Sequence, residues 1–417
     1  MDIWRITGGH TLDGTCFVQG SKNASLPIIA AALVCPARTE LTNVPRLRDV
    51  DAALRILRHL GCTAEQRQND VYIDSTCISG SSIPDFLMEE MRSSVIFLGA
   101  LVARCGEARL SLPGGCQLGK RPIDLHLDAL RRMGAEITED GGEIVCIAKK
   151  LRGTTIDLSF PSVGATENIM LAACSADGKT VITGAAREPE IVALQDYLVS
   201  LGAEISGAGS SVVTIEGFHP RTAVGFRILP DRIVASTICC AVAASGGAVE
   251  LRGVVPEHFL TVLSFLNRSG CDIIIKKRTV RIRSDGKLHS PGRIATKPYP
   301  GFPTDAQPVL MAALLKAEGR TTILENIFEN RFRQVTELKR LGADIVTDGR
   351  RAEIWGVSCL HGNALNATDL RGGAAMIVAG LTAEGETVIF DEGHITRGYE
   401  NFDMRLRTLG ADISLEY

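Results

Sequence analysis

Apolar residues recur at helical spacing in six segments of the chain, and each segment ends in a similar short phrase. Three examples are DAALRILRHLG, LHLDALRRMG and FDMRLRTLG. Their apolar positions lie three or four residues apart, which predicts amphipathic helices. The glycine that follows suits a helix end, because that position often adopts a left-handed backbone conformation. A short apolar segment with an acidic residue, such as AEI or ADI, comes next and predicts a strand.

The phrase forms an internal repeat. Its glycines are Gly61, Gly134, Gly202, Gly270, Gly342 and Gly410. Successive spacings of 73, 68, 68, 72 and 68 residues are too regular to arise by chance. Further strands are predicted before the helices, in EARLSLP, KTVITGA, AVELRG and RTTILEN. Each repeat is therefore predicted to be a helix-and-strand unit of about 70 residues.

Two clusters of three repeats would bury more surface than a linear array, since the repeat is too long and too mixed for the common solenoids. KNASLPIIAAALV and LPDRIVASTICCAVAAS each place polar residues before an apolar helix, so they mark the starts of two halves. We place the boundary near Pro230. The N-terminal lobe is predicted at 21–229, and the C-terminal lobe at 1–20 and 230–417. A cleft between two lobes is the expected ligand site.

Composition narrows the classes of function. The chain has 417 residues, of which 45% are apolar and 22% charged, as in ordinary globular proteins. A net charge of -3 provides no global basic field for nucleic acid. Neither a signal peptide nor an apolar run of ~18 residues is visible, so we expect a cytoplasmic protein without a membrane partner. The spacing of the 12 cysteines predicts buried free thiols rather than a zinc or disulfide framework.

Cys116 is the best candidate for a reactive thiol. It lies in SLPGGCQLGKRPIDLH, between a predicted strand and a predicted helix, shortly before Lys120 and Arg121. Nearby cations and a helix start lower the pKa of a thiol and favour the thiolate. The alternative is a loop cysteine without a function.

Other candidates lie where apolar helices begin. Lys22 in SKNASLP could bind an anion with the free N–H groups of its helix, or be a solvated surface lysine. The residues of PSVGATEN could hold a phosphate, or cap a helix. Asp305 is either a helix cap or a general base. Cations in loops and at helix starts indicate a polyanionic ligand; they are Lys22, Arg92, Arg121, Arg331, Arg371 and Arg397.

Taken together, these segments resemble a known family. SKNASLP, MRSS, PGGCQLGKRPIDLHL, PSVGATENIM, AAREPEI, PGFPTDAQ, ENIFENRF, TDLR and HITRGYE occur in this order. They are similar to the successive motifs of the UDP-N-acetylglucosamine 1-carboxyvinyltransferases, which are enolpyruvyl transferases, over nearly the whole chain. The resemblance implies an α/β fold of two lobes, each an inside-out barrel of three repeats with helices inside and sheets outside. It also implies closure around the ligand, with the Cys116 loop as a lid.

The resemblance implies a reaction with two substrates. The enolpyruvyl group of phosphoenolpyruvate would move to the 3-hydroxyl of UDP-N-acetylglucosamine with release of phosphate, the first committed step of peptidoglycan precursor synthesis. Cys116 would protonate the methylene carbon, could form a covalent adduct and would be alkylated by fosfomycin. Asp305 would accept the proton of the hydroxyl. No metal or organic cofactor is required, and a monomer is expected.

Substrate contacts follow from the same motifs. Lys22, Arg121 and Arg397 would contact the phosphate and carboxylate of phosphoenolpyruvate, and Asn23 would lie beside the reacting centre. The residues implied to line the nucleotide-sugar site are Arg92, Arg121, Pro122, Ile123, Asp124, Leu125, Ser162, Val163, Gly164, Thr304, Asp305 and Ile327. The residues implied to support the closed state are Arg331, Asp369 and Arg371.

The second half departs from the family pattern. The departing residues are Val234, Ala235, Ser236, Ala306, Pro308, Arg333, Gln334, Gly372 and Gly373. Two alternatives stay open: a shikimate-type enolpyruvyl transferase, and a non-catalytic regulatory paralogue that binds the nucleotide sugar. The PGGC loop and the Lys22–Asn23 pair argue against the first, and the intact set of Lys22, Cys116, Asp305 and Arg397 argues against the second.

Overall fold

The computed structural model of the chain describes residues 1–91, 93–111 and 123–417. Within these ranges the helices are α1 Lys22–Ala31, α2 Arg48–His59, α3 Asp85–Glu90, α4 Phe97–Cys105, α5 Asp124–Arg132, α6 Val163–Ala173, α7 Pro189–Leu201, α8 Arg232–Ser245, α9 Leu260–Arg268, α10 Gln307–Ala313, α11 Val335–Arg340, α12 Leu370–Gly380 and α13 Phe402–Thr408. Short 3-10 turns occur at Ser94–Ile96, Pro256–Phe259, Thr304–Ala306 and Ile395–Arg397.

The strands form six four-stranded sheets in the described residues. They are β1 Asp2–Thr7, β2 Leu12–Phe17, β3 Arg38–Thr42, β4 Thr63–Arg67, β5 Asp70–Asp74, β6 Ser82–Ile83, β7 Glu107–Ser111, β8 Glu136–Asp140, β9 Glu143–Ile147, β10 Thr155–Asp157, β11 Thr180–Thr183, β12 Ala203–Ser206, β13 Val212–Phe218, β14 Ala223–Arg227, β15 Gly247–Arg252, β16 Asp272–Lys276, β17 Thr279–Ser284, β18 Arg293–Ala295, β19 Arg320–Leu324, β20 Asp344–Asp348, β21 Arg351–Trp355, β22 Ala364–Asn366, β23 Glu386–Asp391 and β24 Asp412–Glu416.

The described residues form two compact units. The N-terminal unit contains residues 20–91, 93–111 and 123–229, and the C-terminal unit contains 1–19 and 230–417. The first strands belong to the C-terminal unit because β1 pairs with β23 and β24, and β2 pairs with β15. Gly20 groups with the N-terminal unit, one residue from the predicted boundary. It lies so close to the backbone of Asn43 that no Cβ would fit there.

All six sheets share one topology. Their strand orders are β14-β3-β5-β4, β6-β7-β9-β8 and β10-β11-β13-β12 in the N-terminal unit, and β2-β15-β17-β16, β18-β19-β21-β20 and β22-β23-β1-β24 in the C-terminal unit. In each, the first pair is parallel and the other two pairs are antiparallel. This common order confirms the predicted internal repeat.

The repeated glycine ends a helix in every copy. It follows α2, α5, α7, α9, α11 and α13, and its φ angle lies between 95° and 110°. Side chains strongly disfavour this left-handed conformation, whereas glycine adopts it freely. The chain then turns directly into β4, β8, β12, β16, β20 or β24. The predicted sequence of helix, glycine and strand is therefore confirmed.

Three apolar helices form the centre of each unit. They are α1, α4 and α6 in the N-terminal unit, and α8, α10 and α12 in the C-terminal unit, where they pack against one another. Because these helices are apolar on nearly all sides, they are stable only when surrounded by protein. The sheets cover them, which confirms the predicted α/β fold with inside-out packing of three repeats per unit. None of the described helices is both long and apolar enough to cross a bilayer.

Candidate active site

Lys22 lies at the start of α1 in a paired, buried environment. Its Nζ is 2.9 Å from Oδ2 of Asp49, and the two residues are only 9% and 2% exposed. Ser21 caps the helix by accepting a hydrogen bond from the Ala24 N–H. Buried charges are costly unless they are paired, so Asp49 holds the ammonium group in place. Lys22 is thus a fixed cation beside the N-terminus of a helix, and Asn23 next to it is half-buried.

Two further helix starts carry predicted nucleotide-sugar residues. Ile123 precedes α5, and its carbonyl accepts hydrogen bonds from the N–H groups of His126 and Leu127. Asp124 is exposed in the first turn of α5, and Leu125 is half-buried. Ser162 is the N-cap of α6 and accepts from the Ala165 N–H at 3.3 Å, and Val163 and Gly164 follow in its first turn. The capping alternative for PSVGATEN is therefore correct for Ser162, while its contact with a phosphate stays a prediction.

A buried histidine that the motif comparison did not assign links these two helices. Asn168 of α6 donates from Nδ2 to Nδ1 of His126 at 2.8 Å and accepts from the Gly99 N–H at 2.7 Å. The ring also approaches Gly164, where a Cβ would lie 3.0 Å from Cε1. The signal was available in the sequence, because His126 lies on the apolar face of α5 with Leu130 and Met133. His126 therefore fixes α5 against the start of α6.

The burial of His126 predicts a pH dependence of stability. Burial lowers its pKa from the usual 6.5 to about 4, so the folded protein holds the ring neutral where the unfolded chain would protonate it. The stabilisation is complete above about pH 6.5 and is lost as the pH falls through about 4, with a magnitude of about 3 kcal/mol. Urea unfolding between pH 7 and 4 should show a shallower decline in His126→Gln than in the unchanged protein.

The exposed His10 offers the matched control for this measurement. His10→Gln should keep the steep decline of the unchanged protein, because it replaces an exposed ring and leaves buried His126 in place. Identical pH profiles for His126→Gln and the unchanged protein would contradict the assigned role of His126.

A second group that the motif comparison did not assign is the carboxyl of Glu167 in α6. Burial raises its pKa well above the usual value, and the nearby Glu190 and Glu188 raise it further. Glu167 therefore favours its neutral form, in which a carboxyl group can donate a hydrogen bond. Perturbed groups of this kind are concentrated at functional sites, although buried structural clusters also produce them.

Cys116 lies outside the described residues, as do Arg92, Arg121 and Pro122. The other cysteines are free, and most are buried. Burial raises the pKa of Cys62 to about 11, and those of Cys146 and Cys174 to about 12. Such thiols are poor nucleophiles because the thiolate is the reactive form. The described ranges thus contain several unreactive thiols, with which the reactivity of Cys116 can be compared.

In the C-terminal unit, Asp305 meets two predicted arginines. Its 3-10 turn precedes α10, and Oδ1 accepts from Nη2 of Arg331 at 2.8 Å. Nη2 of Arg371 lies 3.5 Å from Oδ2. Arg331 also donates to the carbonyl of Thr304, the neighbouring predicted residue. The two guanidinium groups orient the Asp305 carboxylate, whose side chain remains 31% exposed and accessible to a ligand.

Arg371 is itself fixed by its surroundings. Asp369 caps α12 by accepting from the N–H groups of Arg371 and Gly372, and its carboxylate lies 4.0 Å from Arg331. The Arg371 guanidinium donates to the hydroxyl of Tyr399. Burial alone would lower the pKa of Arg371, but Asp305, Tyr399 and Asp231 raise it above its usual value. The structure thus brings Asp305, Arg331, Asp369 and Arg371 into one network.

Glu325 connects Thr304 with Ile327, and sequence comparison did not assign it. Its carboxylate is fully buried; Oε2 accepts from the Thr304 hydroxyl at 3.0 Å, and Oε1 accepts from the Ile327 N–H at 2.8 Å. Thr296 also donates to Oε1. Several donors surround this buried carboxylate, and hydrogen bonds are electrostatically stronger in the interior than in water. Glu325 therefore positions two residues that were predicted to line the nucleotide-sugar site.

Arg397 ends the 3-10 turn that follows β23. Asp391, at the end of this strand, accepts from the N–H groups of His394 and Ile395 and so fixes the turn. Ile395 packs against α12 at Gly373, where a Cβ would lie only 2.5 Å from its Cγ1. Gly373, one of the departures from the family pattern, therefore permits the close approach of the turn that carries Arg397.

Gly373→Ala should destabilise the protein. The extra methyl group would overpack the contact with Ile395 at a cost of about 1–3 kcal/mol, more than the gain of about 0.5–1 kcal/mol from removing a helical glycine. Urea unfolding measures the difference. In an Ile395→Ala background the same change should be neutral or stabilising, since the clash is gone. Equal destabilisation in both backgrounds would disprove the packing explanation.

Comparison with known proteins places the chain in a class. A family model described as EPSP synthase (3-phosphoshikimate 1-carboxyvinyltransferase) matches residues 6–406. The chain belongs to this family of carboxyvinyltransferases. Its fold is similar to the crystal structure of the enolpyruvyl transferase NikO from Streptomyces tendae, with a TM-score of 0.90, 27% identity and coverage of 99% of this chain and 98% of that one. EPSP synthase from Acinetobacter baumannii shares the fold at a TM-score of 0.76 and 20% identity, over 100% of both chains.

Relatives with a higher sequence identity to this chain share one name, UDP-N-acetylglucosamine 1-carboxyvinyltransferase. UDP-N-acetylglucosamine 1-carboxyvinyltransferase 2 of Caldanaerobacter subterraneus subsp. tengcongensis is 46% identical over 413 residues, which are 99% of either chain. UDP-N-acetylglucosamine 1-carboxyvinyltransferase of Trichlorobacter lovleyi is 45% identical over 414 residues, again 99% of either chain. The predicted membership of the enolpyruvyl transferases is therefore confirmed.

Proposed function

We propose that this protein transfers the enolpyruvyl group of phosphoenolpyruvate to the 3-hydroxyl of UDP-N-acetylglucosamine and releases phosphate. The observation that carries the proposal is the 46% identity, over 99% of both chains, with a relative named for this reaction. The reaction would supply a precursor of peptidoglycan. It would take place in the cytoplasm, where phosphoenolpyruvate and nucleotide sugars are available.

The addition step needs an acid and a base. The sugar 3-hydroxyl forms a bond to C2 of phosphoenolpyruvate and gives up its proton to Asp305, while Cys116 gives a proton to the methylene carbon. The product is a tetrahedral phospholactyl intermediate. Positioned acid–base groups each contribute about 10²–10⁴-fold to such a rate. The hydrogen bond from Arg331 and the nearby Arg371 support the role of Asp305, because they hold its carboxylate in one orientation.

The elimination step needs stabilisation of negative charge. The intermediate loses phosphate from C2 and a proton from the methyl carbon, which restores the double bond. Lys22, Arg121 and Arg397 bind the phosphate and carboxylate groups in this proposal. The position of Lys22 at the N-terminus of α1 supports its part, because helix N-termini and fixed cations both favour anions.

Release of phosphate with different acceptors tests the function. The purified full-length protein is mixed with phosphoenolpyruvate and either UDP-N-acetylglucosamine, shikimate 3-phosphate or no acceptor, and phosphate is measured. We expect release with the nucleotide sugar alone, with an enolpyruvyl product of matching mass. Release with shikimate 3-phosphate would instead indicate a shikimate-type transferase.

A binding measurement completes this test. Calorimetric binding of UDP-N-acetylglucosamine without any phosphate release would indicate the non-catalytic paralogue. The second half carries the departures from the family pattern, and weakened binding of the nucleotide sugar is the effect that we expect of them. Absence of both binding and turnover in folded protein would refute the proposed function.

A further inference from the structure

Two loops of the C-terminal unit are joined by backbone hydrogen bonds. One loop connects β21 to β22, and the other precedes β23. Glu384 donates its N–H to the carbonyl of Leu360 at 2.8 Å, and its own carbonyl accepts from the Gly362 N–H at 2.8 Å. His361 donates its N–H to the carbonyl of Leu341 at 2.8 Å. The backbone that carries the neighbouring side chains is therefore fixed.

Three metal-ligating side chains converge on this junction. The Cys359 sulfur, a ring nitrogen of His361 and a carboxylate oxygen of Glu384 all lie within 4.8 Å of one another. Nδ1 of His361 is 3.9 Å from Oε2 of Glu384. Cys359 is half-buried, whereas His361 and Glu384 are exposed. The cluster therefore combines a thiol, an imidazole and a carboxylate. Their backbone is held by hydrogen bonds, and an ion in solvent can reach their side chains.

We propose that Cys359, His361 and Glu384 form a binding site for Zn²⁺ or a similar borderline transition-metal ion. Zinc takes sulfur, nitrogen and oxygen ligands in a tetrahedron, with bonds of about 2.0–2.3 Å. Ligand atoms in such a tetrahedron lie roughly 3.3–3.8 Å apart. Small rotations of the side chains would bring the three groups to that spacing, and water would supply the fourth ligand. A thiolate with an imidazole does not suit Mg²⁺ or Ca²⁺, which prefer oxygen.

The repeat shows what distinguishes this junction. Equivalent junctions pair His289 with Glu318 and Arg152 with Asp177, through the same two backbone hydrogen bonds. Cys359 precedes His361 by two residues. The residues at the same position in the other two junctions are Lys287, before His289, and Lys150, before Arg152. Lys150 makes an ion pair with Asp177 at 2.8 Å. A side chain at this position can thus reach the acidic residue of its junction. Of the three residues found there, Lys150, Lys287 and Cys359, only the cysteine is a metal ligand.

Binding of the ion replaces the proton of the Cys359 thiol. The Cys359 thiol releases its proton to solvent as the sulfur–zinc bond forms, while a ring nitrogen of His361 and a carboxylate oxygen of Glu384 donate electron pairs to the ion. The ion would join the two loops and stabilise the C-terminal unit, because it binds the folded chain but not a site in the unfolded chain.

Titration with Co²⁺ tests the site. Full-length protein in a Cys116→Ser background, which removes the proposed active-site thiol, is titrated with Co²⁺ and followed by absorption. We expect one ion per chain, a thiolate-to-cobalt charge-transfer band and its displacement by Zn²⁺. Cys359→Ser should abolish the band, and His361→Ala or Glu384→Gln should weaken binding at least about 10-fold. The thermal midpoint should rise with Zn²⁺ only when Cys359 is present.

The equivalent junction supplies matched controls. His289→Ala and Glu318→Gln should leave Co²⁺ binding unchanged. Cys359→Ser in protein that retains Cys116 should keep normal phosphate release, so the result is independent of the proposed function. A charge-transfer band that persists in Cys359→Ser, equal affinity in His361→Ala, or no band in the folded starting protein would each overturn the proposal.

Discussion

We expect Asp305→Asn to lower kcat by about 10²–10⁴-fold in the phosphate-release assay, because an amide could not take the proton of the sugar hydroxyl as the proposed base. The fold should be retained. Asparagine has nearly the same shape, and its carbonyl oxygen can still accept the hydrogen bond from Arg331 that the carboxylate accepts at 2.8 Å. The KM for UDP-N-acetylglucosamine should change far less than kcat, since the missing interaction belongs to the transition state.

Asp348→Asn is the control for Asp305→Asn. Asp348 ends β20 in the same unit and is exposed, so this change removes an equal charge without touching the Asp305 network. Its kcat should match that of the unchanged protein. Circular dichroism and thermal unfolding would establish that both variants are folded. Turnover of Asp305→Asn within a few-fold of normal would remove Asp305 from the role of base.

Replacement of Cys116 should separate proton transfer from drug sensitivity. Cys116→Ala should lose about 10²–10⁴-fold in kcat because alanine has no proton to give to the methylene carbon. Cys116→Asp should recover much of that activity, since a carboxylic acid can replace the thiol as a donor. Fosfomycin should inactivate the unchanged protein and leave Cys116→Asp active, because only the thiol is alkylated.

Peptide mass mapping identifies the modified thiol. The adduct should be found on Cys116 and not on Cys77 or Cys105, whose exposed thiols control for simple accessibility. Inactivity of Cys116→Asp would mean that the thiol does more than transfer a proton. Full activity of the unchanged protein after exposure to fosfomycin, without an adduct, would contradict the assignment of Cys116.

The departures from the family pattern have physical explanations in part. Gly373 leaves room for Ile395. Gly372 leaves room first for the Thr368 hydroxyl and then for Gln334, whose Cβ would lie 3.2 Å from an added methyl group. Gln334 is fully buried and donates to the sulfur of Met311. These residues therefore fit one another, and the packing around α12 is intact. Pro308 lies in the first turn of α10, where the missing N–H of proline costs no helical hydrogen bond. Arg333 and Ala306 have no comparable explanation in the structure.

Local physical chemistry made the fold predictable. A glycine that ends a helix is required by its own backbone angle, so six regularly spaced copies revealed the repeat without any knowledge of tertiary contacts. That the helices lie inside was implied by the family resemblance, and α8 and α12, which are apolar on nearly all sides, fit that arrangement. The order of strands in each sheet did not follow from these signals. Pairing of β1 with β23 joins residues from opposite ends of the chain, and no local pattern encodes such a contact.

The sequence, through its motifs, singled out Asp305, Arg331 and Arg371 as members of one site, but it did not show which side chains touch. Their ion pairs and the link between His126 and Asn168 depend on how helices from different repeats pack. Hydrogen bonds and charge interactions act over a few ångströms, and only the folded chain brings distant residues that close. Local backbone preferences therefore determined the repeats, whereas tertiary packing decided the contacts that fix each candidate group.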